Sequence, residues 1–220
     1  LSRIKKKDEG EMMKFKTLRA LVLATAAAWS IVFQTGGFVK AQENYESAEY
    51  KVIESEGKLE VREYPDLMLA ATTTKMDSPD SGNSFMQLFR YISGANEKKQ
   101  KIAMTTPVFM ESQGDGAKLQ MGFVMPKQIA SQGVPKPTVG QVQVRKRTGG
   151  RFAVVRFSGQ MTDESVEESE SKLRSWMESK GLVADDSSEG DGVETAVYDS
   201  PFTPGPERRN ELLIRLKATK

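Results

Sequence analysis

The 220-residue chain is 38% hydrophobic and 28% charged, a composition that supports a folded core and excludes both a disordered chain and a largely membrane-embedded one. It holds no cysteine and no histidine, which removes Ser-His-Asp and Cys-His nucleophilic sites, thiol redox centres and the usual zinc sites. Residues 1–41 carry eight of the 32 basic and three of the 30 acidic residues; the 24 basic and 27 acidic that remain give a formal charge of −3, which argues against a nucleic-acid partner.

Lys14, Lys16 and Arg19 precede an uncharged run from Leu21 to Phe33, the layout of a secretory signal. Val39 and Ala41 then put small residues at the −3 and −1 positions, so cleavage is expected after Ala41, with Met12 or Met13 as the start. The apolar run falls short of the about 20 residues that a membrane helix needs, which leaves no stable membrane insertion after cleavage. Residues 1–41 are thus read as a leader and residues 42–220 as one domain, exported to a periplasm or secreted.

Tyr50 to Glu54 and Leu59 to Tyr64 alternate apolar and polar residues on either side of Ser55-Glu56-Gly57-Lys58, the pattern of strand, turn and strand. After Pro65-Asp66, the β-prone run from Leu67 to Thr74 predicts a strand buried on both faces. Beyond a loop at 77–82, Phe85, Leu88, Phe89 and Ile92 recur at helical spacing, with Ser84 and Gln87 as a capping box and Gly94 as the stop. Strands follow at Val108 to Glu111 and Leu119 to Met125, and Pro126 to Gly140 reads as a connection.

The order then recurs: strand Gln141 to Lys146, a turn at Gly149-Gly150, strand Phe152 to Phe157, a helix from Thr162 to Lys180, and strands Val193 to Tyr198 and Glu211 to Leu216. Arg145-Lys146-Arg147 reads as a solvated strand end and turn. Each half is β-β-α-β-β, a duplication of pattern. Two such halves can join into one curved sheet or open barrel with two helices outside it, an α+β arrangement.

The stretches Leu59-Glu60-Val61-Arg62-Glu63-Tyr64-Pro65, Phe85 with Leu88-Phe89-Arg90-Tyr91-Ile92-Ser93-Gly94-Ala95-Asn96-Glu97, and Lys101-Ile102-Ala103-Met104-Thr105-Thr106-Pro107-Val108 resemble the SOUL haem-binding family. Met125-Pro126, Phe157-Ser158-Gly159, Tyr198 with Ser200-Pro201-Phe202, and Arg208-Arg209-Asn210-Glu211 continue the resemblance in order, over residues 48–217. It implies a duplicated α+β fold, a distorted antiparallel β-barrel flanked by two α-helices, related to the DNA-gyrase-inhibitor-like small-molecule-binding fold. It also implies non-covalent binding of haem or another tetrapyrrole in an apolar cleft beside the first helix.

By that resemblance Phe85, Met86 and Phe89 contact the macrocycle and Arg90 meets a haem propionate, a pairing that suits a guanidinium at a cleft rim. Helix periodicity alone makes Phe85 and Phe89 core residues of an amphipathic helix. Some relatives carry a histidine, proposed as the axial iron ligand, where this chain has Glu63. Any haem is therefore held without imidazole, or through weaker ligands such as Met or Tyr. Pro107 and the Arg208 to Glu211 cluster read as structural, the first setting a bend and the second pairing across the barrel rim.

The leading expectation is an exported carrier, buffer or scavenger of haem or another tetrapyrrole, with neither a catalytic nor a metal-ligating residue. A binder of a different amphipathic molecule is the second reading. The third is a hydrolase using Glu63, Glu97 or Glu211 as base with a tyrosine such as Tyr91 as partner.

Overall fold

The computed structural model describes residues 45–75, 83–113, 118–138, 140–185, 192–200 and 202–218. The expected leader and the loop at 77–82 lie outside the described residues. In chain order the strands and helices are β1 (Glu46–Ser47), β2 (Lys51–Glu56), β3 (Leu59–Tyr64), β4 (Leu67–Lys75), α1 (Ser84–Ile92), β5 (Thr105–Thr106), β6 (Val108–Gln113), β7 (Lys118–Val124), α2 (Lys127–Gln132), β8 (Gln143–Arg147), β9 (Gly150–Ser158), α3 (Asp163–Ser179), β10 (Val193–Val197) and β11 (Arg209–Arg215). The α+β class is as expected, and the short helix α2 is an addition inside the segment read as a connection.

Nine strands form one antiparallel sheet in the order β2-β3-β9-β11-β10-β6-β7-β4-β8. Exchanging β3, β4, β6 and β7 for β8, β9, β10 and β11 reverses the order of the last eight strands, so the duplication read in the pattern is present in the topology. The halves meet at β6 and β10, and each lends its first strand to the other: β3 pairs with β9, and β8 with β4.

That exchange dictates the curvature. β3 and β4 stand second and eighth in the sheet yet are joined only by Pro65-Asp66. Six strand spacings in a flat sheet span about 29 Å, whereas the link from Tyr64 to Leu67 reaches at most about 11 Å. The sheet must curl until its ends approach, and β8 to β9, linked by Thr148-Gly149, imposes the same condition. Gly149-Gly150 is accordingly not a hairpin turn, because β8 and β9 do not pair with each other.

The two links cross in contact. Asp66 accepts hydrogen bonds from the Gly149 backbone N–H at 2.8 Å and from Lys146 Nζ at 2.7 Å. A Cβ on Gly149 would sit 2.5 Å from the Tyr64 carbonyl oxygen and 2.6 Å from the Pro65 carbonyl carbon, so no larger residue fits.

Strand alternation sorts side chains to two faces. On the outer face, Leu173, Trp176 and Met177 of α3 pack on Val61, Ala153, Val155, Leu212 and Ile214. Leu88, Tyr91 and Ile92 of α1 pack there on Ala70, Phe123 and Met125. The inner face gathers Tyr64, Leu67, Leu69, Phe109, Phe152, Val154 and Leu213, and among the described residues no helix packs on them. Helix α3 starts where read, with Thr162 and Ser165 exchanging reciprocal hydrogen bonds. The capping box expected at Ser84 does not form: Ser84 lies inside α1 and its hydroxyl is 2.6 Å from that of Thr74, while Gln87 accepts from the Gln141 backbone N–H at 3.1 Å.

Gly149→Ala is expected to cost about 1–3 kcal/mol as backbone shifts relieve the overlap, read as a lower urea midpoint at unchanged slope.

Candidate functional site

The inner face carries buried charge. Arg62 of β3, fully buried, donates from Nη2 and Nη1 to the two carboxylate oxygens of Glu211 at 2.8 Å each, and from Nε to Glu60 at 2.7 Å. Its Nη1 also donates to the Tyr64 hydroxyl at 3.2 Å, and the Tyr50 ring lies 4.0 Å from its guanidinium carbon. Burial works against the Arg62 charge, but the hydrogen bonds and charge of Glu211 outweigh it and leave its pKa above the ordinary arginine value. Tyr198 donates to Glu211 at 2.8 Å. Burial first, then the charge of Glu211, pushes the Tyr198 hydroxyl well up. Burial likewise raises Tyr64 to about 12 against the opposing pull of Arg62, so both phenols are neutral at neutral pH.

The second half supplies a matching group from β8. Arg147, 4% exposed, places Nη2 2.7 Å from Glu194 and stacks over Phe109, Phe152 and Tyr64 at 4.6, 4.4 and 5.1 Å. The reading of Arg145-Lys146-Arg147 as a solvated end therefore holds only for Lys146. Alternation sends Arg145 and Arg147 to the inner face, where Arg145 pairs with Glu111 at 3.1 Å. Burial, then the neighbouring charge of Glu194, raises the Glu111 carboxyl despite Arg145.

A cavity of about 500 Å³ opens at one end of this face, and Tyr50, Lys58, Arg156, Tyr198, Arg209 and Glu211 are among the residues that line it. Sequence reading did not find it, because its walls come from segments far apart in the chain, Tyr50 before β2 and Glu211 in β11; only the alternation that turns Arg156, Arg209 and Glu211 to one face hints at it. The Arg208 to Glu211 cluster does pair across the rim as expected: Asn210 donates to the Gly159 carbonyl, Arg209 bonds Asp199, and Glu211 crosses to Arg62.

The four residues singled out in the first helix lie elsewhere, on the outer side of α1. Its inward stripe is Ser84, Leu88, Tyr91 and Ile92. Phe85 is half-buried against Phe123 at 5.3 Å, and Phe89 lies nearly parallel to it, 13° between planes and 6.2 Å between centroids. Met86 and Phe89 remain 44% and 45% exposed, so Phe89 is not the core residue that periodicity also allowed, and Arg90 is exposed beside them. Tyr91 faces inward, where its hydroxyl donates to the Pro135 carbonyl at 2.7 Å.

The three glutamates considered as bases are not equivalent. Glu63 and Glu97 are exposed, and both oxygens of buried Glu211 already accept hydrogen bonds from Arg62, one also from Tyr198. Among the described residues no group of three or more acidic side chains is placed to hold a metal ion.

A duplicated, helix-backed half-barrel with a cavity on its bare face is the architecture of a small-molecule-binding protein. The family model described as SOUL heme-binding protein matches residues 45–215, and the chain belongs to that family. Solved structures share the fold at low identity. A hydrolase from Listeria innocua is 12% identical with a TM-score of 0.54, covering 75% of this chain and 94% of its own. The EcmrR C-terminal domain is 10% identical with a TM-score of 0.52, covering 77% of this chain and 99% of its own. A comparison with curated proteins finds no match.

Arg62→Met is expected to cost about 3–5 kcal/mol by stranding the Glu211 charge in the interior, while Glu60 keeps Arg156, and Arg62→Met with Glu211→Leu to recover most of it; a urea double-mutant cycle measures the difference. Because Glu111 has a raised folded pKa, the folded state holds its proton more tightly than the unfolded state. Stability from this group is present below the ordinary glutamate value and lost as pH rises through the folded pKa. The melting temperature of the native protein minus that of Glu111→Gln is therefore expected to rise on acidification from pH 7 toward pH 4.5.

Proposed function

We propose that the protein binds haem or a related tetrapyrrole non-covalently on the outer face of α1, as a carrier, buffer or scavenger outside the cytoplasm, and is not an enzyme. Family membership supports the ligand class, and one observation carries the site: Phe89 and Met86 stay half exposed on a helix whose inward face is already filled. Residues 85, 86, 89 and 90 are neighbours at i, i+3 and i+4, so they form one continuous patch. The parallel Phe85 and Phe89 rings, with the Met86 thioether, suit a flat macrocycle. Arg90 at the edge suits a propionate.

The patch fits a porphyrin face better than a ligated iron. The sequence has no histidine, and Glu63 stands where some relatives carry one. Affinity then rests on buried apolar area and the Arg90 ion pair. A bound haem would supply its own iron chemistry, while the chain's part is to hold the ring and orient its carboxylates. The expected leader supports an exported location, and among the described residues no helix is long and apolar enough to cross a membrane.

Haemin titration of the full chain, followed by the Soret band and tryptophan fluorescence, tests this. Phe89→Ala is expected to weaken binding about tenfold or more, the loss of one buried aromatic side chain, and Arg90→Ala to weaken it less. Absence of a Soret shift, or a Phe89→Ala variant that binds as the native protein does, overturns the proposal. Equal stabilisation by metal-free protoporphyrin would assign the site to the ring rather than to iron.

A further inference from the structure

We propose that the inner-face cavity is a second small-molecule site, separate from α1, and that it takes an aromatic anion with a single carboxylate- or sulfonate-type group. Its size, about 500 Å³, lies in the range of pockets that enclose small organic ligands. Tyr50 and Tyr198 supply ring walls, and Lys58, Arg156 and Arg209 supply cations.

Charge accounting selects the sign of the ligand. Among the described residues Glu211 is the only carboxylate lining the cavity, and both its oxygens are engaged by Arg62, with Tyr198 on one of them. Glu60 is shared between Arg62 and Arg156, the latter at 3.0 Å, and Asp199 bonds Arg209 at 2.8 Å. These seven groups, Arg62, Arg156, Arg209, Lys58, Glu60, Glu211 and Asp199, leave one positive charge over. Lys58 is that charge: it is exposed at the mouth, its backbone carbonyl accepts from the Arg156 N–H at 2.9 Å, and its ammonium has no hydrogen bond or ion pair among the described residues.

A cationic ligand would meet three basic side chains with no free carboxylate to receive it, and a neutral one would leave Lys58 unanswered. A mono-anion whose ring lies against Tyr50 and Tyr198 and whose charged group reaches Lys58 and Arg156 satisfies both conditions. Tyr50 is well placed to close such a site, since its ring is already seated on Arg62 and lies 5.2 Å from that of Tyr64.

The probe is 8-anilinonaphthalene-1-sulfonate, titrated into the full chain by fluorescence, against N-phenyl-1-naphthylamine, which has the same rings without the sulfonate. The expected result is saturable sulfonate binding at least tenfold tighter than the neutral analogue, weakened by added salt. Lys58→Ala and Arg156→Ala are each expected to weaken it about tenfold, the loss of one charge-assisted contact, with melting curves confirming that both variants fold. Phe89→Ala, on the other face, is expected to leave it unchanged. Equal binding of the neutral analogue, sulfonate affinity within twofold of native in the Lys58→Ala, Arg156→Ala double variant, or loss with Phe89→Ala alone each overturns the cavity assignment. Since the haemin titration reads the α1 face, either site can fail without the other.

Discussion

The crossing of two short links at Gly149 is the constraint on which the rest of the molecule depends. Each half of the duplicated unit gives its first strand to the other half, and each such strand is tied to the next by two residues. Those links cannot span a flat sheet, so the sheet curls. They pass so closely that a side chain at Gly149 would strike the backbone of Tyr64 and Pro65. Asp66 then fastens one link to the other.

Curling makes the two faces chemically unlike. The outer face is wide enough for α1 and α3 and is closed by apolar contact, mainly Leu88, Tyr91, Leu173 and Trp176. The inner face is too narrow for a helix and is filled instead by side chains from opposite ends of the sheet, among them two buried arginines, one per half. Arg62 and Arg147 are long enough to reach across and carry donors for the carboxylates they meet, Glu60, Glu211 and Glu194. Aromatic rings above and below them, Tyr50, Phe109 and Phe152, replace part of the lost hydration through their negative π faces.

This division separates the two places where a ligand can bind. The α1 patch is apolar, with Met86 and Phe89 left exposed once the inward stripe of the helix is filled. The cavity is concave and rimmed by cations, with its one lining carboxylate already committed to Arg62. The same ion pair that holds Glu211 occupies both of its carboxylate oxygens.

The sequence by itself determined the main elements, the duplication and the family, because strand alternation, helical spacing and ordered motifs are local signals. It also marked Phe85, Met86, Phe89 and Arg90 and showed that no imidazole is present. Tertiary structure alone decided which strands pair, which face each side chain serves and where the cavity opens. Gly149-Gly150 looks like a hairpin turn until β8 and β9 are seen on different partners. Phe89 looks like core until Tyr91, satisfied by the Pro135 carbonyl, and Ser84, satisfied by Thr74, take the inward positions. Arg62 is one polar position of an alternating strand until the curl brings Glu211 to it from 149 residues away. Periodicity tells which residues share a face, whereas closure of the barrel decides what that face meets.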